Sequence, residues 1–318
     1  MQRPMSSVSF VITVYNKEDH VGDTLRSVLD QVGDFESEIV VVDDASTDCS
    51  PEIIEKLVGD LPNASIVTFR DNVGPAFALN AGIVAASKAF IKPVDGDDVL
   101  TRDSADRLLK CFTDPDVALV RGASIRFSGP TDELSAGRDP EPAMTVLSAP
   151  LESAIRNSLS GCSEVMFRRD PFLACGGCDE TVFIQDQSYI WRLATQHRFA
   201  FTDEVIAIRP AHQSETLIEN RNQIEHDRNA ALCGLIRDYP SLPEEINRLA
   251  FRRCAGRAWK WAHRENRKPW GSDTTFWISL MSYLPWVPGR LAMMFACLSP
   301  YRAGGRVRIP GAAPTRPG

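Results

Sequence analysis

Four short apolar runs set the frame of this chain, and stretches of helical period separate them. Val8-Ser-Phe-Val-Ile-Thr-Val14 is β-branched and apolar over most of its length, the pattern of a strand buried on both faces. A helix over about Glu18–Gln31 follows, with Val21, Leu25, Val28 and Leu29 on one side. Glu38–Val42 is the second strand. Ser50-Pro51 opens the next helix, with Glu52 and Glu55 in or near its first turn, where the proline ring and the helix dipole favour them. Ser65–Phe69, Gly74–Ser87 and Ala89–Val94 then read as strand, helix and strand. Ala105–Phe112 is helical and Val117–Phe127 extended. Strands alternating with helices in this way imply an α/β fold with a doubly wound, mostly parallel sheet and right-handed crossovers.

In such sheets ligands lie beyond the carboxyl ends of the strands. Polar residues collect at those ends: Thr13, Tyr15 and Asn16 at the end of the first strand, Asp43 and Asp44 after the second, and Asp95-Gly96-Asp97-Asp98 after the fourth. Three carboxylates within four residues repel one another. A hard divalent cation such as Mg²⁺ or Mn²⁺ relieves that repulsion, usually with one or two carboxylates and the oxygens of a substrate phosphate. The cluster is therefore read as a metal–diphosphate site. The plain alternative is an acidic loop capping the helix near Ser104. The first turn lacks GxGxxG, and the chain lacks GxxxxGK[ST], which disfavours a Rossmann dinucleotide turn and a P-loop.

Beyond the fourth strand the pattern loosens. Ser128–Pro150 is rich in Pro, Gly and acidic residues and reads as a long surface loop. Leu151–Asn157 reads as a short helix and Glu164–Phe167 as a strand. Cys175-Gly-Gly-Cys-Asp179-Glu180 is a turn, and Asp186 opens a helix running to about His197. The lone CxxC pair is read as two small buried residues, and the eight cysteines as reduced thiols. Val8–Val14 is too short for a signal peptide and is followed at once by charge, so a cytoplasmic protein is expected.

Net charge is −7, but Ile246–Gly318 holds eleven Arg and two Lys against Glu265 and Asp273, a net +11, so the first 245 residues carry −18. An acidic body with a basic tail points to an anionic surface as the tail's partner; nucleic acid is not expected. Leu217–Arg237 and Glu244–Arg267 read as helices. Phe276–Leu298 is apolar but broken by Pro285 and Pro288 into pieces far short of the roughly 20 residues that span a bilayer. A basic helix followed by a broken apolar hairpin suggests an in-plane anchor on the cytoplasmic face of the inner membrane; a helical subdomain packed on the body is the alternative. Two regions follow: a catalytic domain over 1–215, with a donor half to about 100 and an acceptor half after it, and a helical extension over 216–318 whose end, Gly311–Gly318, is expected to be disordered.

VSFVITVYN (8–16), IVVVDDASTD (39–48), NVGPAFALNAGIVAA (72–86), DGDD (95–98), GGCDE (176–180) and QDQSYIWRLA (185–194) occur in that order. This series resembles the family 2 glycosyltransferases, inverting enzymes of GT-A fold that use nucleotide sugars, over roughly residues 8–212. The resemblance implies roles. Thr13, Tyr15 and Asn16 line the base pocket, Asp44 accepts a hydrogen bond from the base, and Glu18 and Asp43 lie nearby. Asn72 and Gly96 join the donor-binding set. Asp97 is the metal ligand, with Asp95 closer to the ribose or sugar, and His212 near the diphosphate. Asp186 is the general base. Three positions depart from the family pattern: Gln185 stands where Glu is common, Cys178 where an aromatic residue is common, and Leu79 where Arg often precedes Asn80.

The implied activity is metal-assisted transfer of a hexosyl or N-acetylhexosaminyl group, expected from a UDP-sugar, to a saccharide or polyprenyl-lipid-linked saccharide in cell-surface polysaccharide synthesis. A metal neutralises charge on the departing diphosphate, and a base takes the acceptor's proton. A sugar nucleotidyltransferase and a non-catalytic nucleotide-sugar-binding protein are the other readings.

Overall fold

The structure, a computed structural model, describes residues 6–126, 141–157, 159, 161–209, 221–265, 271 and 273–302. The acidic loop is covered only at its downstream end; His212 and the segment 311–318 lie outside the described residues.

Among the described residues nine strands form one sheet. In chain order they are β1 (Ser6–Val14), β2 (Phe35–Asp43), β3 (Ala64–Thr68), β4 (Phe90–Asp95), β5 (Val99–Leu100), β6 (Val117–Arg126), β7 (Thr145–Leu147), β8 (Val165–Arg168) and β9 (Arg198–Arg209). Their order across the sheet is β3-β2-β1-β4-β8-β6-β9-β5, with β7 on β9. The β3-β2-β1-β4 block is parallel, as the alternation with helices requires. β8 then runs antiparallel to both β4 and β6, which makes the sheet mixed.

The helices that build the site are α1 (Val21–Leu29), α2 (Ser50–Val58), α3 (Pro75–Ala85), α4 (Ser104–Lys110), α5 (Pro150–Asn157), α6 (Arg169–Ala174) and α7 (Asp186–Ala194). Successive residues of a strand face opposite sides, and β1 divides accordingly. Phe10, Ile12 and Val14 pack with Val21, Leu25 and Ile54 of α1 and α2, while Val11 packs with Ala78, Leu79 and Ile83 of α3. α3 lies very close to the sheet because Gly82 has no side chain; a Cβ there would stand 2.5 Å from Val11 Cγ1 and 2.8 Å from Val42 Cγ2.

The extension contributes α8 (Arg221–Asp238), α9 (Glu244–Glu265), α10 (Thr274–Met281), α11 (Arg290–Ala296) and α12 (Ser299–Arg302). Leu232, Cys254, Ala258 and Tyr301 join the same buried cluster as Phe167, Tyr189 and Trp191. The two parts thus share one core. Among the described residues no helix is long and apolar enough to cross a membrane. All eight cysteines are unbonded thiols, and in the CxxC pair burial raises the pKa of both Cys175 and Cys178, as expected for packing rather than redox use.

Candidate active site

Register brings the polar strand ends together. Thr13 is the partner of Asp95 on β4, and Val14 is the partner of Asp43 on β2. The next turn is locked across the strands: the Asp44 amide donates to the Val14 carbonyl and the Gly96 amide to the Thr13 carbonyl, at 2.8 and 3.0 Å. Gly96 is needed here, since a Cβ would lie 2.9 Å from Thr13 O.

Asp44 is buried at the centre of one half of the crevice. Its Oδ1 accepts from the Val73 amide at 2.7 Å, and its Oδ2 accepts from the Gly74 amide at 2.9 Å and Asn72 Nδ2 at 3.0 Å. Burial pushes this carboxyl up to about 6, while the two amides pull it down. A carboxylate offers about four acceptor positions, so Oδ1 keeps room for one more donor. Asp43 accepts from the Ser46 amide at 3.1 Å and shapes the same loop. Ala45 between them has φ +63°, a left-handed conformation that costs a residue with a Cβ about 1 kcal/mol.

Two residues of the expected base pocket are occupied in bracing it. Asn16 has φ +52°, and its Oδ1 accepts from the Thr47 amide at 2.8 Å. Glu18 accepts from the Cys49 amide at 2.9 Å, at the N-terminus of α2. Tyr15 is 41% exposed and faces open solvent.

The acidic turn is tighter than its sequence suggests. The Asp98 amide donates to the Asp95 carbonyl at 3.0 Å. Asp97 Oδ2 meets Lys17 Nζ at 2.5 Å. Burial, then the charges of Asp98, Asp97 and Asp186, push Asp95 well above the usual carboxylate range. Beneath the turn, the fully buried Lys92 donates to the Ser163 carbonyl at 2.6 Å, and Ser163 Oγ accepts from the Asp95 amide at 2.9 Å. Sequence reading missed Lys17 and Lys92. The only available signal for Lys92 was a cation in the middle of an apolar strand.

Asp186 reaches the cluster from the other half of the sheet. Gln185 Nε2 donates to Asp95 Oδ1 at 2.7 Å, and Gln185 Oε1 is buried without a partner. This gives the Gln185 departure a physical reason: Glu in its place would set another carboxylate against Asp95. Asp186 is half-buried and accepts from the Gly161 amide at 2.9 Å. Burial raises its pKa, opposed by that amide and by the positive charges of Arg228 and Arg209.

Two further contacts fix the approach to Asp186. Asn80 of α3 clasps the Gly-Gly turn through Cys178 N, Cys178 O and Glu180, where Gly176 and Gly177 take φ +84° and +64°. Asp227 of α8 accepts from the amides of Phe183 and Ile184 at 2.8 and 3.1 Å. Asp227 is fully buried and also bonded by Gln223 and His226. Sequence reading did not single it out, because an Asp inside a polar helix looks solvated.

The crevice therefore joins Thr13, Asp43, Asp44, Asn72, Asp95, Gly96 and Asp97 on one side to Asp186 on the other. The glycosyl transferase family 2 model matches residues 9–172, more than half of the chain and most of this crevice. The chain belongs to glycosyl transferase family 2. Relatives include a protein named as a putative teichuronic acid biosynthesis glycosyltransferase of Bacillus subtilis, 28% identical over 51% of this chain and 62% of its own length. A poly-β-1,6-N-acetyl-D-glucosamine synthase of Staphylococcus aureus is 27% identical over 59% of this chain and 46% of its own. The chain thus spans less than two thirds of the length of these relatives. Among solved structures, S. aureus TarS 1-349 in complex with UDP-GlcNAc aligns over 93% of this chain and 89% of that one, at 18% identity and TM-score 0.62. The mannosyltransferase PcManGT of Pyrobaculum calidifontis, in complex with GDP-Man and Mn²⁺, aligns over 94% and 87% at 19% identity and TM-score 0.57. Both share the fold of this chain.

Proposed function

We propose that this family 2 member is an inverting glycosyltransferase that moves a sugar from a UDP-sugar to a hydroxyl of a saccharide or lipid-linked saccharide in bacterial cell-surface polysaccharide synthesis. The observation that carries the reading is the opposition of two carboxylate groups across one crevice. Asp95 and Asp97 stand at the end of β4, and Asp186 enters from α7, joined to Asp95 through Gln185.

Asp44, with one acceptor position open on Oδ1, takes the base N3–H of uracil, and Tyr15 and Thr13 flank the ring and ribose. The diphosphate lies toward Asp97. A hard cation fits this place: Asp97 already holds a cationic partner in Lys17, and its neighbours are oxygen donors. Among the described residues no three His, Cys, Asp or Glu side chains converge to enclose a metal, but Mg²⁺ or Mn²⁺ at a diphosphate needs only one or two carboxylates. Asp97, with Asp95, would hold the ion, and when bound it supplies charge neutralisation for the leaving diphosphate. PcManGT is named with Mn²⁺, in keeping with this choice.

The acceptor hydroxyl lies against Asp186. Asp186 takes its proton as the oxygen attacks the anomeric carbon, while the bond from that carbon to the diphosphate oxygen breaks and the nucleoside diphosphate departs. Burial raises the Asp186 pKa, which strengthens it as a base, and the Gly161 amide with the charges of Arg228 and Arg209 opposes that rise. Gln185 Oε1, buried without a partner, would accept a hydrogen bond from a hydroxyl of the transferred sugar.

A donor screen tests the reading. UDP-sugars are expected to raise the melting temperature and to be consumed, more so with Mn²⁺, while GDP-sugars are not. At 100 times its Kd a donor stabilises by about 2.7 kcal/mol. Consumption of a nucleoside triphosphate and a sugar phosphate would favour the nucleotidyltransferase reading instead. Binding without any turnover would favour a non-catalytic binder.

A further inference from the structure

α10 carries large apolar side chains on its outward side as well as on its buried side. Its buried side includes Thr275 and Ser279, with Ser282 just beyond, beside Ile278. Its outward side carries Trp277 and Leu280, and Leu284 follows in the next turn, exposed by 54%, 56% and 52%. Tyr283 and Trp286 in the following turn are 68% and 73% exposed, and Phe295 of α11 adds 41%. A soluble helix ordinarily turns its apolar face inward, and clustered exposed apolar side chains mark an interaction surface.

The flank of this patch is cationic. The Arg252 guanidinium lies 5.1 Å from the Tyr283 ring centre, and its Nε donates to the Ser282 carbonyl at 3.3 Å. Lys260 and Arg264 follow on α9, both exposed. From Asn247 to Arg264 the helix carries five Arg and one Lys and no carboxylate. α10 and α11 have 8 and 7 residues, too short to span hydrocarbon.

We propose that this face docks in the plane of an anionic lipid bilayer, with Trp277, Leu280, Leu284 and Trp286 below the headgroups and Arg252, Lys260 and Arg264 at the lipid phosphates. The layering of the patch, apolar tips beside a flank of arginine and lysine, matches the layering of a bilayer, apolar beneath an anionic surface. Trp and Tyr favour the headgroup level because their rings are apolar with one polar group. Docking needs neither donor nor acceptor, so its failure and failure of the transferase reading are separate results.

Cosedimentation of the full chain with vesicles of phosphatidylglycerol and phosphatidylcholine in equal parts tests this. The wild type is expected to pellet, and its tryptophan emission to shift to shorter wavelength. Trp277→Ser with Trp286→Ser, both on exposed positions, should lower partitioning about tenfold or more, with an unchanged melting temperature. Arg252→Ala with Lys260→Ala should weaken binding to these vesicles and leave the weak binding to pure phosphatidylcholine unchanged. A wild type that stays in the supernatant overturns the proposal, as does a tryptophan double variant that pellets as well as the wild type. A wild-type dimer that the tryptophan substitutions convert to monomer would assign the face to a second copy of the chain and also overturn it.

Discussion

Asp186→Asn is expected to lower the rate of sugar transfer by about 10²–10⁴, the usual worth of a positioned general base. Affinity for the donor should remain within about a factor of three, a change below 1 kcal/mol. The two effects separate because the proposed role of Asp186 is toward the acceptor and not the donor. Its carboxylate is bonded to the Gly161 amide, and an Asn side chain keeps an oxygen for that bond, so the local fold survives. What is lost is the basic lone pair proposed to take the proton. The substitution also removes one of the charges that press on Asp95, so donor binding has no reason to weaken. Transfer kinetics and calorimetric donor binding, measured on the same preparation, check both halves. A variant that turns over at the wild-type rate would remove Asp186 from the mechanism.

Asp227→Ala is expected to be the most damaging change outside the crevice. It strands the amides of Phe183 and Ile184 and leaves Gln223 and His226 without their buried partner. Each buried donor left unpaired costs about 1–3 kcal/mol, so a loss of roughly 3 kcal/mol or more in a denaturant titration follows from the same figure. The milder Asp227→Asn keeps one acceptor oxygen and should fold. Its transfer rate is nevertheless expected to fall about tenfold or more, because the loop it grips leads directly into Gln185 and Asp186, and small misplacements of a catalytic group are costly. Donor affinity should be spared, because Asp44 and Asp97 lie on other elements. If Asp227→Asn folds and transfers at the wild-type rate, α8 has no part in positioning the base.

Much of the fold was legible because its first half follows a single rule. β1, β2 and β4 are buried on both faces, so their sequences are continuous apolar runs, and the helices between them carry one apolar side. The strand ends were legible for the same reason: where the apolar run stops, Tyr15, Asp43 and Asp95 follow. The second half obeys no such rule. β9 was not recognised as a strand because Arg198, Thr202, Asp203 and Glu204 interrupt its apolar residues, and its pairing with β6 shifts register twice near Arg121 and Ala123. β5 and β7 are too short, at 2 and 3 residues, to carry a pattern.

Within the site, chemistry that depends on sequence neighbours was readable and chemistry that depends on distant partners was not. The Asp95–Asp98 cluster declares itself. Asp186 came from motif order. Lys17 at Asp97, Lys92 under Ser163 and Asp227 beneath Phe183 and Ile184 emerge only from packing, since each acts on a residue between 43 and 80 positions away. Asn16 was expected to line the base pocket and Glu18 to lie nearby. The structure engages Asn16 Oδ1 and the Glu18 carboxylate in holding the loop between β2 and α2.

The central claim is that the acceptor attacks from the side opposite the departing diphosphate, with Asp186 as the base. Proton NMR of the sugar first released from an α-linked UDP-sugar, with water or a saccharide as acceptor, tests it most directly. The account predicts the β anomer or β linkage as the first product, before mutarotation. A first product with the α configuration would contradict it.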